Sequence, residues 1–306
     1  MHSLSPYLIR CFNPQLSGKN EDKYSVLDKV GQYDTFSLLK NYIESKSEDF
    51  SIVEETKQVF RFHQILIDSD KRIVCGWFQT GHYGIKTDII NISTGKVDFE
   101  KAQNNAEIIN HFIYFFLPQS FNEGIALLHG LRGNKIKTLF HRLFKEYFKD
   151  ITKLNFQMNP LSYDKAFKEW QDSNAKEIRL IRFEGFSDIA DQIKMLGHEE
   201  VEVKLKPPKK STLGKLKDYF DKDSDQAKAI EVLSPICAQI KTVVELNGKK
   251  RTFIVGHSAT NSICEIEAPA DLELSHGNPE YNAIKKWCEE ISEEFSETMY
   301  PGLKVS

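Results

Sequence analysis

Apolar positions recur along this chain with two periods. From Asp34 the segment TFSLLKNYIES sets Phe36, Leu39, Tyr42 and Ile43 at helical spacing, and Asp34 stands where a capping side chain belongs. From Asn134, KIKTLFHRLFKEYFKD repeats the pattern through Ile136, Leu139, Phe140, Leu143, Phe144, Tyr147 and Phe148, which predicts a basic amphipathic helix. A third, acidic helix is predicted over residues 281–298.

Strand-like segments fill the first half: 7–12, 58–68, 72–79 and 85–92, with turns at TGHYG and STGK, then 112–117 and 123–131 joined across PQSFN. Consecutive strands without intervening helices read as an antiparallel meander. In the second half, strands are predicted at 153–158, in AKEIRLIRFEG and in EVEVKLK. Short helices are predicted in SYDKAFKEWQDS (capped by Ser162), SDIADQIKML and GKLKDYF, and AKAIEVLSPICAQI should break at Pro235. KTVVELNGKKRTFIV is the clearest hairpin, because Asn247-Gly248 supplies the two positive-φ residues of a type I′ turn. The expected fold is α+β: mainly antiparallel sheets with flanking helices, in two lobes. Residues 1–152 form a sheet lobe closed by the basic helix, and 153–306 form an α+β lobe.

Composition narrows the class. With 40% apolar, 28% charged and 11% aromatic residues the 306-residue chain is globular rather than disordered, and long enough for two modules. The apolar run FIYFFLP falls well short of the ~20 residues that span a bilayer, and the first residues lack the cationic start and apolar core of a secretion signal. The expected compartment is therefore the cytoplasm. Cys11, Cys75, Cys237, Cys264 and Cys288 are scattered, with no C-x-x-C, so they read as free thiols rather than a zinc site.

Charge adds the functional clue. The net formal charge is −3, yet KLKPPKKSTLGKLK holds six lysines and no acid. A local cationic cluster in an acidic chain points to an anionic partner surface, and nucleic-acid phosphates attract such clusters without any base being read. The candidate contacts are Lys204, Lys206, Lys209, Lys210, Lys215 and Lys217, with Arg179 and Arg182 from the strand placed beside them. Arg132, Lys135 and Lys137 offer a second anion site, because cations in a first helical turn oppose the helix dipole. No histidine pair has metal-ligand spacing, so no cofactor is expected. The enzymatic alternative is a Mg²⁺-dependent nuclease in which Asp188, Asp191 and Glu202 hold the ion and Lys204 stabilises charge. A third reading is a protein-interaction subunit that docks an effector on its acidic C-terminal helix, where ten acids face only Lys285 and Lys286 over residues 265–297.

The second half also resembles a known family. A charged strand (EIRLIRFEG), a short helix, a strand ending in Lys-Pro (VEVKLKPPKK) and a lysine-rich segment (LGKLKDYF) follow one another as in RexA-like phage exclusion proteins and the KwaB-like subunits of Kiwa anti-phage defence. The resemblance implies a homodimeric, sequence-tolerant DNA-binding protein, with a membrane-protein partner subunit as a further expectation. The residues it carries over as DNA contacts are Lys204, Lys206, Lys209, Lys210, Lys215 and Lys217.

Overall fold

The computed structural model describes residues 2–161, 167–183, 202–209, 211–256 and 264–303. Among them the chain begins with strand β1 (His2–Phe12) and β2 (Tyr24–Ser25), then helix α1 (Thr35–Glu44). Strands β3 (Ser51–Val53), β4 (Gln58–Asp68) and β5 (Ile73–His82) follow, then β6 (Thr87–Ile90), β7 (Val97–Lys101), β8 (Glu107–Phe116) and β9 (Gly124–Leu131). The basic helix is α2 (Lys137–Thr152), succeeded by β10 (Asn155–Pro160), β11 (Ala175–Phe183) and β12 (Glu202–Leu205). Helix α3 (Asp225–Leu233), β13 (Cys237–Leu246), β14 (Lys249–Val255), β15 (Cys264–Glu267) and helix α4 (Tyr281–Met299) complete the main elements.

The protein is a mixed α+β fold built on one large sheet whose pairings are all antiparallel. Its order is β12-β11-β13-β14-β15-β1-β9-β8-β5-β4-β3, with β10 and β2 also on β1. Both halves of the chain thus contribute to one sheet, which continues across residue 152. β1 joins them: one edge pairs with β9, the other with β15 at Ser3 and Leu4 and with β10 from Tyr7 onward.

Period-two alternation along β1 feeds two cores. Leu4 and Leu8 belong to one apolar cluster, and Tyr7, Ile9 and Cys11 to another. α2 covers the second with Phe140, Phe144 and Phe148, each fully buried, against Phe62, Phe78 and Phe156. α4 covers the first with Ile284, Trp287, Cys288, Ile291 and Phe295. No helix among the described residues is long and apolar enough to cross a membrane.

Several local expectations change. β1 starts at His2 rather than Tyr7, reading through Pro6. The Pro6 carbonyl accepts from Leu161, so its ring nitrogen faces the same edge, in the gap between β15 and β10 where no ladder bond is lost. The segment 85–92 does not continue the meander. β5 pairs with β8, while β6 and β7 form a separate ribbon. GKLKDYF is one 3₁₀ turn (Leu216–Tyr219), and the helix broken by Pro235 gives way to β13 at Cys237. The Asn247-Gly248 turn has φ of 50° and 78°, as type I′ requires. The predicted Ser162 cap and the SDIADQIKML helix lie outside the described residues.

A buried histidine relay ties β1, β8 and β9 together. His2 Nε2 lies 3.1 Å from the Gly277 carbonyl and must donate to it, which leaves His2 Nδ1 to accept from His129 Nε2 at 3.0 Å. His129 Nδ1 then accepts from the Phe112 amide at 3.4 Å, and His111 donates from Nδ1 to the His129 carbonyl. All three rings are neutral in this arrangement. Burial, reinforced by His111 and His2 nearby, pushes His129 down to about 3. Burial also lowers His2 and His111.

The folded chain therefore refuses protons that the unfolded chain accepts, so stability should fall as pH drops from about 6.5 towards 3. At pH 5 the loss from His129 alone should be about 2 kcal/mol. Urea unfolding of wild type and His129→Gln across that range checks this. The variant should show a shallower acid slope whatever its absolute stability, and an unchanged slope would refute the relay's role.

Candidate nucleic-acid interface

The lysine-rich run begins on β12, the outermost strand at one end of the sheet. Antiparallel register sets Arg179 of β11 opposite Lys204 on one side and Lys241 of β13 on the other. Side chains directly opposite share a face. Ile178, Leu180, Phe253 and Ile266 alternate to the opposite, apolar face. What remains is a charged face crossing β12, β11, β13 and β15.

That face is interleaved, not uniformly basic. The half-buried Arg179 guanidinium lies 2.6 Å from Glu177 and 3.8 Å from Glu202, and it also donates to Glu267. Burial opposes charge on both partners, yet pairing holds the Glu177 carboxyl below its ordinary value and Arg179 above its own. Lys204 Nζ sits 3.7 Å from Glu202, and Lys206 Nζ sits 3.6 Å from Glu177. Glu265 is buried: Ser3 Oγ donates to it at 2.9 Å, and it pairs with Lys241 at 2.6 Å and Lys135 at 3.5 Å. Burial would raise that carboxyl, but Lys135 and Lys241 hold it down.

The structure thus brings Arg179, Lys204, Lys206 and Lys135 to one face, each beside an acid. Lys215 and Lys217 sit apart at the 3₁₀ turn, both bound to Asp172 at 3.0 and 2.9 Å. Lys209 is exposed and makes no ion pair among the described residues. Arg132 is exposed in the positive-φ turn before α2. Glu202, the acid of the nuclease alternative, faces Arg179 and Lys204. Asp188, Asp191, Lys210 and the Arg182 side chain lie outside the described residues.

α2 presents a different electrostatic surface. Lys137, His141, Lys145 and Lys149 recur every fourth residue, a stripe about 18 Å long. Arg142 of this helix pairs with Glu55, whereas Lys137, Lys145 and Lys149 pair with no carboxylate among the described residues. Burial lowers Lys137, and Lys145 lowers it further. Burial and the charges of Lys137 and Lys145 also lower His141, which donates to the Phe156 carbonyl at 3.3 Å. Beyond burial, the neighbouring cations add to the lowering of Lys137 and His141, as positive charge gathered along one stripe does. The sequence signal was present in the four-residue repeat of cations. Only Lys137 of this stripe stood among the expected contacts, because the lysine run drew attention by its density.

The chain matches no protein-family model and no curated protein. The geometry therefore has to carry the functional reading.

Arg179 should be a structural keystone rather than a free ligand contact. Arg179→Met leaves Glu177, Glu202 and Glu267 facing one another, and should cost about 3 kcal/mol in chemical denaturation. Lys209→Glu, on an exposed turn, should cost less than about 0.5 kcal/mol. Similar losses for both would refute the network.

Proposed function

We propose that the protein binds duplex DNA through its phosphate backbone, without reading base sequence, and that the uncompensated stripe of α2 is the principal contact. The carrying observation is that among the described residues Lys137, Lys145 and Lys149 pair with no carboxylate, while Lys204, Lys206, Lys215 and Lys217 of the lysine run are held by Glu202, Glu177 and Asp172. Phosphates replace the missing counter-charge, and each contact releases condensed cations from the duplex. Lys209 and Arg132 add exposed charge at the margins. The biological setting, phage exclusion or anti-phage defence in a cytoplasmic homodimer with a membrane-protein partner, is supported by the RexA-like and KwaB-like order of segments around VEVKLKPPKK.

Affinity for a mixed-sequence duplex should fall steeply with ionic strength, with a log–log slope near −0.9 per phosphate contact. Reversing Lys145 and Lys149 together to Glu should weaken binding at least tenfold, or about 1.4 kcal/mol. Reversing Lys206 and Lys209 should do less, and reversing Lys285 and Lys286 on α4 least of all. Salt-independent binding, or equal effects from all three pairs, would sink the proposal.

A further inference from the structure

Exposed apolar side chains gather on one small structure. The β6–β7 ribbon leaves the sheet between His82, the last residue of β5, and Glu107, the first of β8. Ile92 at its tip is 95% exposed and Ile85 is 70% exposed, while Ile89, Ile90, Val97 and Phe99 are about half exposed. Register sets Ile89 opposite Phe99 and Ile90 opposite Val97, so both apolar cross-strand pairs stand in solvent. A two-stranded ribbon is only marginally stable by itself. Asp88 directly opposite Glu100 weakens this one further, although Lys86 lies 3.0 Å from Glu100 and offsets part of that repulsion.

A second apolar group lies at the foot of the ribbon. Ile52 of β3 is opposite Val59 of β4, Val59 is opposite Gly81 of β5, and Gly81 is opposite Ile108 of β8. Directly opposite residues share a face, so Ile52, Val59 and Ile108 form one row, with Ile52 63% exposed. Next along that face come Arg61, Gln79 and Asn110, joined by hydrogen bonds of 2.7 and 2.9 Å. Beyond them Trp77 and Phe112 pack against Tyr281 of α4. The chain's own core on this face thus ends at a polar row, and the apolar row outside it belongs to neither apolar cluster.

We propose that the ribbon and this row form a self-association surface, on which a second copy of the chain docks with the same patch. The ribbon's charges choose the occupant. Over residues 85–101, Lys86, Lys96 and Lys101 balance Asp88, Asp98 and Glu100. Pairing of identical patches about a two-fold axis requires such self-complementarity. The same balance offers nucleic acid or an anionic lipid surface no net charge to attract. Area agrees with a dimer. The exposed ribbon and row residues leave on the order of 600 Å² in solvent, at the top of the range for the largest patch on a monomer. Two such patches bury on the order of 1,200 Å², where specific interfaces begin. The inference assigns a surface to the homodimer and does not rest on DNA contact through α2.

Sedimentation equilibrium of the full chain without DNA tests the assignment. Wild type should dimerise with a dissociation constant at or below about 10 µM. Replacing Ile89 and Phe99 together by Ser should raise that constant at least about a hundredfold. Ile92→Asp, at the most exposed of these positions, should raise it severalfold, and it reports even where the double change disturbs the ribbon. Val232→Ser, at an exposed apolar site on α3, should leave the dimer intact. So should the Lys145→Glu and Lys149→Glu double variant, which separates this surface from the DNA reading. Wild type that stays monomeric at about 100 µM would overturn the proposal. So would a dimer unaffected by both ribbon variants, or one weakened equally by Val232→Ser. Flotation of wild type, but not of Ile92→Asp, with phosphatidylcholine vesicles would also overturn it, by making lipid the occupant.

Discussion

Pairing of β1 on both edges is the constraint on which the architecture rests. A strand with only one neighbour could shift at modest cost, but β1 is held by β9 on one side and by β15 and β10 on the other. A slip of one residue would exchange Leu4 and Leu8 with Tyr7, Ile9 and Cys11, and so disturb both apolar clusters at once. The histidine relay adds a polar lock at the start of the strand, because His2 reaches both His129 on β9 and the Gly277 carbonyl. Even Pro6 agrees with this placement, since its missing amide faces the gap between two partner strands.

The same sheet decides which charges are free. Dense lysines in sequence suggest an open basic surface, but antiparallel pairing brings in residues from distant segments. Glu177 reaches Lys206, Glu202 reaches Arg179, and Glu267 of β15 reaches Arg179 from much further along the chain. A helix offers fewer such opportunities on its exposed side. The helical neighbours of Lys145 at four residues either way are His141 and Lys149, so no carboxylate is supplied at those positions. Cation density in a run and cation availability in the fold are therefore different quantities.

This contrast also marks how far the sequence could be read. The helices over α1, α2 and α4 were legible because Phe36, Leu39, Phe140, Phe144, Ile284 and Ile291 keep the helical period. The hairpin was legible because Asn247 and Gly248 tolerate positive φ. The separate β6–β7 ribbon was not, because Ile89, Ile90, Val97 and Phe99 look like core strand residues yet are exposed. Joining of the two halves through β1 was equally hidden, since strand order depends on long-range pairing that no local pattern encodes. Of the candidate site, Lys137 and the cations of the lysine run could be read, but Lys145, Lys149 and the acids that hold Lys204, Lys206, Lys215 and Lys217 were not.

α2 shows how one element serves packing and chemistry without conflict. Lys135 and Lys137 at its start oppose the helix dipole, each by about 0.3–1 kcal/mol. Burial of Phe140, Phe144 and Phe148 contributes about 1.5–3 kcal/mol apiece, so the core side decides that the helix forms and where it lies. Once its position is fixed by that aromatic face, the outer face and the first turn are released from any stabilising duty. Unfavourable charge can then collect at the start of the helix, where burial and the charge of Lys145 both lower Lys137. The helix is held by its buried side, and the charge it carries elsewhere is tolerated because that side outweighs it.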